Sequence, residues 1–391
     1  MLATTIGRGC DPESEKDMTR MRIAFIGGRD VHTLGGIENY MFNLATELAK
    51  AGYEPIVYCE SDRDEVEQIN GFQVIHQRSV GGRFLCKILL GYRATVRSLW
   101  GPYRADIFHY NAWPPSLASW LPRLFGRPAL LQGHGLEWKR TKYTPRQQRI
   151  MRFMEFLTAK MNNHLIMVSE EQTDYFRLHY RKRCTTIPTA THLHDKPVRS
   201  DILDRFGLEA EGYFLFLGRL VPDKNPDCLI RAFLRSGITD KKLVVAGSND
   251  AMPAYVDSLH VLAQEDDRIR FTGAVYGADK EKLIEACFAF CIPSTIEGLA
   301  ITLLEAMSYG KACIASDIPA NKEALGQSGI WCRYEDADGL AEQLVYAHEH
   351  PSELARQGRI NRQRIRDHFT WEAVTAQYID YLQQICEHER S

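Results

Sequence analysis

The chain has 391 residues and nowhere runs through eighteen apolar residues in succession, so the sequence offers no membrane-spanning helix. Its ten cysteines form no Cys-x-x-Cys pair. The two nearest, Cys287 and Cys291, read as packed neighbours rather than zinc ligands, and the scatter suits a reducing, cytoplasmic compartment. No Gly-x-Gly-x-x-Gly occurs, which removes the nicotinamide and flavin fingerprint, and no 20–50-residue period suggests a solenoid. Residues 1–20, MLATTIGRGCDPESEKDMTR, are too polar for a signal peptide and are expected to form a disordered extension, with Met18 or Met21 as alternative starts.

Acid is also scarce in one region. The net charge of −2 conceals an asymmetry: residues 1–190 hold 26 Lys+Arg against 19 Asp+Glu, and the remainder 22 against 31. Within 78–160 there are fifteen bases and three acids (Asp106, Glu137, Glu155), so the first half is expected to present a positive face to an anionic partner. Helix 83–99 mixes Leu85, Ile88 and Leu89 with Lys87, Arg93 and Arg97, and the stretch 138–156 repeats the theme. Such a helix ordinarily turns its apolar side to its own sheet. The missing acids favour a cytoplasmic-leaflet surface rich in anionic lipid, with peripheral docking through the first half. Nucleic acid is not expected, because aromatic residues are not interleaved as a stacking platform requires.

What is present is an alternation of short aliphatic runs with amphipathic helices, the pattern of a parallel α/β sheet. Strands are predicted at 22–27, 54–59, 72–76, 106–110, 128–132 and 164–168, with helices at 36–51, 83–99, 114–124, 145–161 and 170–180. The pattern restarts near 190–212 and continues with strands at 213–217, 242–246, 269–272, 288–292, 312–315 and 329–332. Two doubly wound domains are implied.

In such folds ligands sit where strands end and helices begin. Three loops of that kind stand out. After the first strand, Gly35 and Gly36 open a helix, allowing close backbone approach to a phosphate or sugar, or simply making a tight turn. After strand 213–217, Arg219 and Lys224 flank a Pro-Asp turn and could aim two cations at one diphosphate; two solvated surface charges are the plainer reading. After strand 288–292, Glu297 lies in the loop and Glu305 inside the following helix, placed to bind sugar and ribose hydroxyls, with the amides of Gly298, Leu299 and Ala300 between them. Thr302-x-x-Glu305 also matches a capping box, in which Glu305 would only satisfy the helix start.

Taken together, Gly-Gly before the first helix, Arg-x4-Lys after the first strand of the second half, and Glu-x7-Glu before a later helix resemble the retaining nucleotide-sugar glycosyltransferases of family 4, over residues 21–385. The resemblance implies the GT-B fold, two facing Rossmann-like doubly wound domains with a donor cleft between them. It implies an acceptor-side domain at 21–190, a nucleotide-sugar-binding domain at 191–370 and a last helix, 371–391, crossing back to the first. It further implies that Arg219 and Lys224 hold the diphosphate, Glu305 the ribose and Glu297 the transferred sugar. His134 would reach the donor sugar, and the loop around Val275 would lie along the base. The donor would be a UDP-, GDP- or dTDP-linked sugar and the acceptor a glycan or lipid-linked saccharide, with no cofactor and no metal.

Asp62-Arg63-Asp64 and Asp336-Ala337-Asp338 match the Asp-x-Asp metal signature of another glycosyltransferase fold, but each lies in an acidic loop or at a helix start. Two departures stand out: the usual Glu-Gly-Phe-Gly reads Glu297-Gly298-Leu299-Ala300, and the usual Gly-x-Gly-Pro reads Gly247-Ser248-Asn249-Asp250. Segment 134–143 is similar to a subgroup containing rhamnosyltransferases of bacterial capsule and surface-polysaccharide assembly. A sugar-nucleotide epimerase of the same fold and a noncatalytic glycan-binding protein are the competing readings.

Overall fold

A computed structural model describes residues 21–30, 35–82, 85–139, 143–162, 164–263 and 266–390. The expected extension at 1–20 lies outside these residues. The first sheet has eight strands: β1 (Arg22–Gly28), β2 (Glu54–Ser61), β3 (Glu65–Ile69), β4 (Phe72–Arg78), β5 (Ile107–Tyr110), β6 (Ala129–Gly133), β7 (His164–Met167) and β8 (Cys184–Thr186). Their order is β3-β4-β2-β1-β5-β6-β7-β8, and β3 alone runs antiparallel to its neighbour. The second sheet comprises β9 (Tyr213–Leu217), β10 (Lys242–Ala246), β11 (Ile269–Gly273), β12 (Ala289–Ile292), β13 (Cys313–Ser316) and β14 (Gly329–Cys332). It is parallel throughout, in the order β11-β10-β9-β12-β13-β14.

The central strands are uninterrupted apolar runs because both faces are covered by helices. In β1, Ile23 and Phe25 point into one core while Ala24 and Ile26 point into another, as the two-residue period of a strand requires. Strand order reverses between β1 and β5 in the first sheet and between β9 and β12 in the second. A crevice opens at each reversal, at the carboxyl ends of the strands. The loops bearing Arg219 and Lys224 follow β9, and the loop bearing Glu297 follows β12, so both border the second crevice.

Three elements differ from the sequence reading. β3 joins β4 through Asn70 and Gly71, both at positive φ, a hairpin turn that Asn-Gly favours. β8 is a three-residue edge strand. The predicted helix 114–124 is two short helices, Trp113–Ser116 and Trp120–Leu124, because Pro114, Pro115 and Pro122 have no amide hydrogen to continue one helix.

The last helix, Trp371–Arg390, packs on the first sheet: Trp371, Val374, Tyr378, Leu382 and Ile385 share a core with Ile23, Phe25, Tyr40 and Leu44. Tyr378 OH lies 2.8 Å from Nδ1 of the buried His109. Thr191 and Thr370 form a parallel bridge, so the two chain crossings between the domains run side by side.

Candidate active site

Two loops of the second domain are tied into one wall. The Thr295 backbone amide donates to the Asp223 carbonyl at 2.9 Å, and the Asn225 side-chain Nδ2 to the Pro293 carbonyl at 3.3 Å. Asn225 adopts a left-handed conformation (φ 58°) that ends the short turn Pro222–Lys224 and starts the helix Pro226–Ser236. This turn carries Lys224 back toward the β12 loop, where its ammonium pairs with a carboxylate oxygen of Glu297. Glu297 is only 5% exposed, so the pair is desolvated on one side. Arg219 is exposed and makes no side-chain hydrogen bond or ion pair with any described residue. Its segment is braced from behind: the Asn249 side chain donates to the Leu220 carbonyl at 3.1 Å, and the Leu220 amide to the Ser248 carbonyl at 3.4 Å. The chain passes so close there that a Cβ on Gly247 would lie 1.8 Å from the Gly218 carbonyl oxygen. The departure from Gly-x-Gly-Pro therefore keeps its first glycine for packing and uses Asn249 as a brace.

The helix Ile301–Ser308 begins after Ala300, which provides no side-chain cap. Thr302 is thus inside the helix and Glu305 beyond its first turn. Glu305 does not reach back to the helix start, and the capping-box reading is set aside. Lys280 donates to Glu305 Oε1 at 2.6 Å. The other oxygen, Oε2, is buried and takes no hydrogen bond from any described residue. A buried carboxylate oxygen without a donor costs about 1–3 kcal/mol, so this atom is a ready acceptor for a ligand hydroxyl. Leu299 and Ala300 are buried and can offer only their backbone. Val275 packs partly against the second-domain core, while Tyr276 beside it is exposed.

The first domain faces this wall directly. Gly35 precedes the helix Gly36–Lys50, which also lacks a side-chain cap, and a Cβ on Gly36 would lie 3.6 Å from Cδ1 of Ile301. Two uncapped helix starts, one from each domain, therefore meet across the cleft, concentrating amide hydrogens and positive helix-end potential. Glu38, largely buried, accepts from the Arg29 amide at 2.8 Å and so closes the β1 loop on its helix. His134 follows β6, its ring edge-on to Tyr40 with centroids 5.1 Å apart. Its carbonyl oxygen would lie 2.3 Å from a Cβ on Gly298, so only glycine lets the two domains approach here. Gln172, 2% exposed, has Oε1 buried without a hydrogen-bond partner among the described residues. Behind this wall, burial first and the adjacent His134 second push His109 down to about 3, which keeps it neutral.

Arg219, Lys224, Glu297, Gly298 and Glu305 thus lie on connected loops or helices of one domain, and Gly35, Gly36 and His134 are on the facing one. Lys280 and Gln172 were not singled out in the sequence, and Asn249 stood there only as part of the departure from Gly-x-Gly-Pro. Only the parallel order, which sets β10 beside β9, could have suggested Asn249. The two Asp-x-Asp stretches are used locally: Asp64 accepts from the Arg78 amide and Arg93, Asp336 caps its helix through the Gly339 amide, and Asp338 pairs with Arg235.

Comparison with known proteins follows the division into halves. Residues 34–194 match the family described as "Glycosyltransferase Family 4", and residues 211–350 match "Glycosyl transferases group 1". Alpha-maltose-1-phosphate synthase of Mycobacterium tuberculosis is 27% identical over 311 residues, covering 72% of this chain and 80% of its own. Sucrose-phosphate synthase from Thermosynechococcus elongatus superposes with a TM-score of 0.81 at 20% identity, covering 94% of this chain and 100% of that one. Anabaena Alr3699/HepE, solved in complex with UDP and glucose, gives 0.75 at 18% identity, with 93% and 100% covered. These two structures carry the GT-B architecture of paired domains found here. This chain is an enzyme, a glycosyltransferase of the group 1 and family 4 type.

Proposed function

We propose that the enzyme moves a hexosyl or deoxyhexosyl group from a nucleoside diphosphate sugar to a glycan or lipid-linked saccharide, with retention at the anomeric carbon. The observation that carries this reading is Glu305: a part-buried carboxylate with one oxygen held by Lys280 and the other buried without a donor among the described residues, a turn away from an uncapped helix start. The vicinal hydroxyls of a ribose supply such donors, and the adjacent diphosphate meets the amides of Gly298–Ala300 and the cations Arg219 and Lys224. Glu297 orients the transferred sugar and holds Lys224 until the diphosphate arrives. His134, Gly35 and Gly36 close on the donor from the other domain, and the strand-end loop at Val275 lies along the base.

In the reaction the bond between the anomeric carbon and the diphosphate oxygen breaks, and the acceptor oxygen attacks from the face being vacated through a short-lived oxocarbenium ion pair. The acceptor proton passes to the leaving phosphate oxygen. Stabilisation of the departing charge falls to preorganised cations and amides, the contribution that usually dominates such steps. A rhamnosyl donor and a place in bacterial surface-polysaccharide assembly are the finer reading, supported by segment 134–143.

The test is product analysis by mass spectrometry and NMR after incubation with UDP-, GDP- and dTDP-linked sugars and lipid-linked acceptors. One added sugar with the donor's anomeric configuration is expected, and Arg219→Ala should lower turnover by about 10²-fold or more at an unchanged melting temperature. Conversion of the donor without acceptor would instead identify an epimerase.

A further inference from the structure

We propose that the outer face of the helix Pro145–Met161, continued by Leu124, Phe125 and Trp100, is a docking surface for an anionic lipid bilayer. The helix is amphipathic in an unusual sense. Its inner side is built from Met154, Glu155, Thr158 and Ala159, all buried. Its outer side presents Ile150, Phe153 and Phe156, with Phe153 60% exposed, among the exposed Arg146, Arg149, Arg152 and Lys160. The spacing three residues apart puts the large apolar groups in one stripe. Glu155, the helix's single acid, is turned inward and takes hydrogen bonds from the Trp138 indole (3.0 Å), Tyr175 (2.9 Å) and Tyr180 (2.7 Å). The outer face therefore carries cations and apolar groups with no acid.

The surface continues beyond the helix. Arg123 donates to the Met161 carbonyl, bringing alongside the next two residues, Leu124, 70% exposed, and Phe125. The Phe125 ring meets the exposed Trp100 edge-on at 5.1 Å. Burial lowers the Lys182 ammonium, and the charges of Lys160 and Arg123 lower it further, a sign of how densely cations are set at this end. The helix Leu85–Leu99 also carries partnered cations: Arg93 pairs with Asp64 and the Arg78 carbonyl, and Arg97 stacks on Tyr103 at 4.5 Å, much as Arg152 stacks on Trp138 at 4.6 Å. Of the two stretches expected to dock, Pro145–Met161 is the one that sets exposed aromatic rings, Phe153 and Phe156, among its cations.

Charge complementarity selects the occupant. Cations alone would suit any polyanion, but aromatic and aliphatic side chains set among them enter the boundary between headgroups and acyl chains while the arginines meet lipid phosphates. No described helix is long and apolar enough to cross a membrane, so this contact is lateral. The opposite side of the same helix holds Trp138, in the segment that carries His134, so docking sets the cleft at a fixed orientation to the bilayer. The inference is independent of the donor and acceptor assigned above.

Sedimentation of the full chain with phosphatidylcholine vesicles, with and without phosphatidylglycerol, tests it. Binding is expected only with the anionic lipid, with release at high salt. Both Arg146→Glu/Arg149→Glu and Phe153→Ser/Phe156→Ser should weaken it at least tenfold while leaving the melting temperature and nucleotide binding unchanged. Absence of binding at low ionic strength would overturn the proposal. So would undiminished binding by the serine variant, or tighter binding of RNA or polyglutamate than of vesicles, since each makes the face a site for some other polyanion.

Discussion

At the scale of single residues, the second-domain wall separates two cations that the sequence treats alike. Arg219 has no structural partner among the described residues, so its removal should be felt in turnover alone. Lys224 is the partner of a Glu297 that is 5% exposed. Removing one member of a buried pair leaves an uncompensated charge and costs about 3–5 kcal/mol, so Lys224→Ala is expected to lower stability as well as turnover. Adding Glu297→Gln should restore the melting temperature without restoring activity, which thermal melts and initial rates would separate. Glu305 gives the cleaner probe of donor binding. Glu305→Gln keeps the shape but offers a weaker acceptor, and calorimetry should show nucleotide-sugar affinity reduced by about 1–3 kcal/mol. The Lys280–Glu305 pair, 26% and 14% exposed, is wetter than the Lys224–Glu297 pair at 17% and 5%, so weakening it should cost less stability. A drop in melting temperature with donor affinity intact would mean that Glu305 serves the helix and not the ligand.

At the scale of elements, legibility followed burial. The central strands were plain because both faces are covered and their sequences, such as Tyr213–Leu217, are continuously apolar. β3 and β8 were missed because edge strands bury little, and Glu65–Ile69 is accordingly polar; Asn70-Gly71 was the available signal. The candidate loops could be picked out because a doubly wound fold places its ligands at strand ends. Lys280 could not, since it meets Glu305 only through the packing of two successive helices, Gly277–Ala286 and Ile301–Ser308, on either side of β12. Nor does periodicity say which stripe of Pro145–Met161 faces inward; there the buried stripe is the one of smaller side chains, Met154, Glu155, Thr158 and Ala159, and both phenylalanines lie outside it. Gly298 is where local chain and domain packing coincide. Its contact is with the His134 backbone, which cannot rotate away, so Gly298→Ala should force the domains apart. A displacement of about 1 Å costs on the order of 10²-fold in rate, and that loss is expected in turnover with binding of free nucleotide largely kept. Unchanged turnover would show that the two loops part during the cycle and that the contact seen here is not the reactive one.

At the scale of the molecule, the domains also meet through Glu323, on the second-domain helix Pro319–Leu325. Its carboxylate accepts from the Glu170 amide at 2.9 and 3.1 Å, at the start of the first-domain helix Glu170–Tyr180, which has no side-chain cap of its own. Burial raises this carboxyl from 4.5 to about 7; the Glu170 amide pulls it down, the charges of Glu170 and Glu171 push it up, and Arg364 pulls it down. The sign follows from proton counting. Below 4.5 the group is protonated whether the domains are joined or apart, and its stabilising contribution is complete. As pH rises toward 7 the joined state keeps a proton that an exposed carboxyl loses, so joining binds protons and weakens with rising pH through that window. Glu323→Gln retains an acceptor for the Glu170 amide and removes the titration. Melting temperatures of both proteins across this window should therefore diverge, with the native chain losing ground to the variant as pH increases, and X-ray scattering should show the native chain opening in parallel. Curves that stay parallel would place the ionisation of Glu323 outside the domain contact.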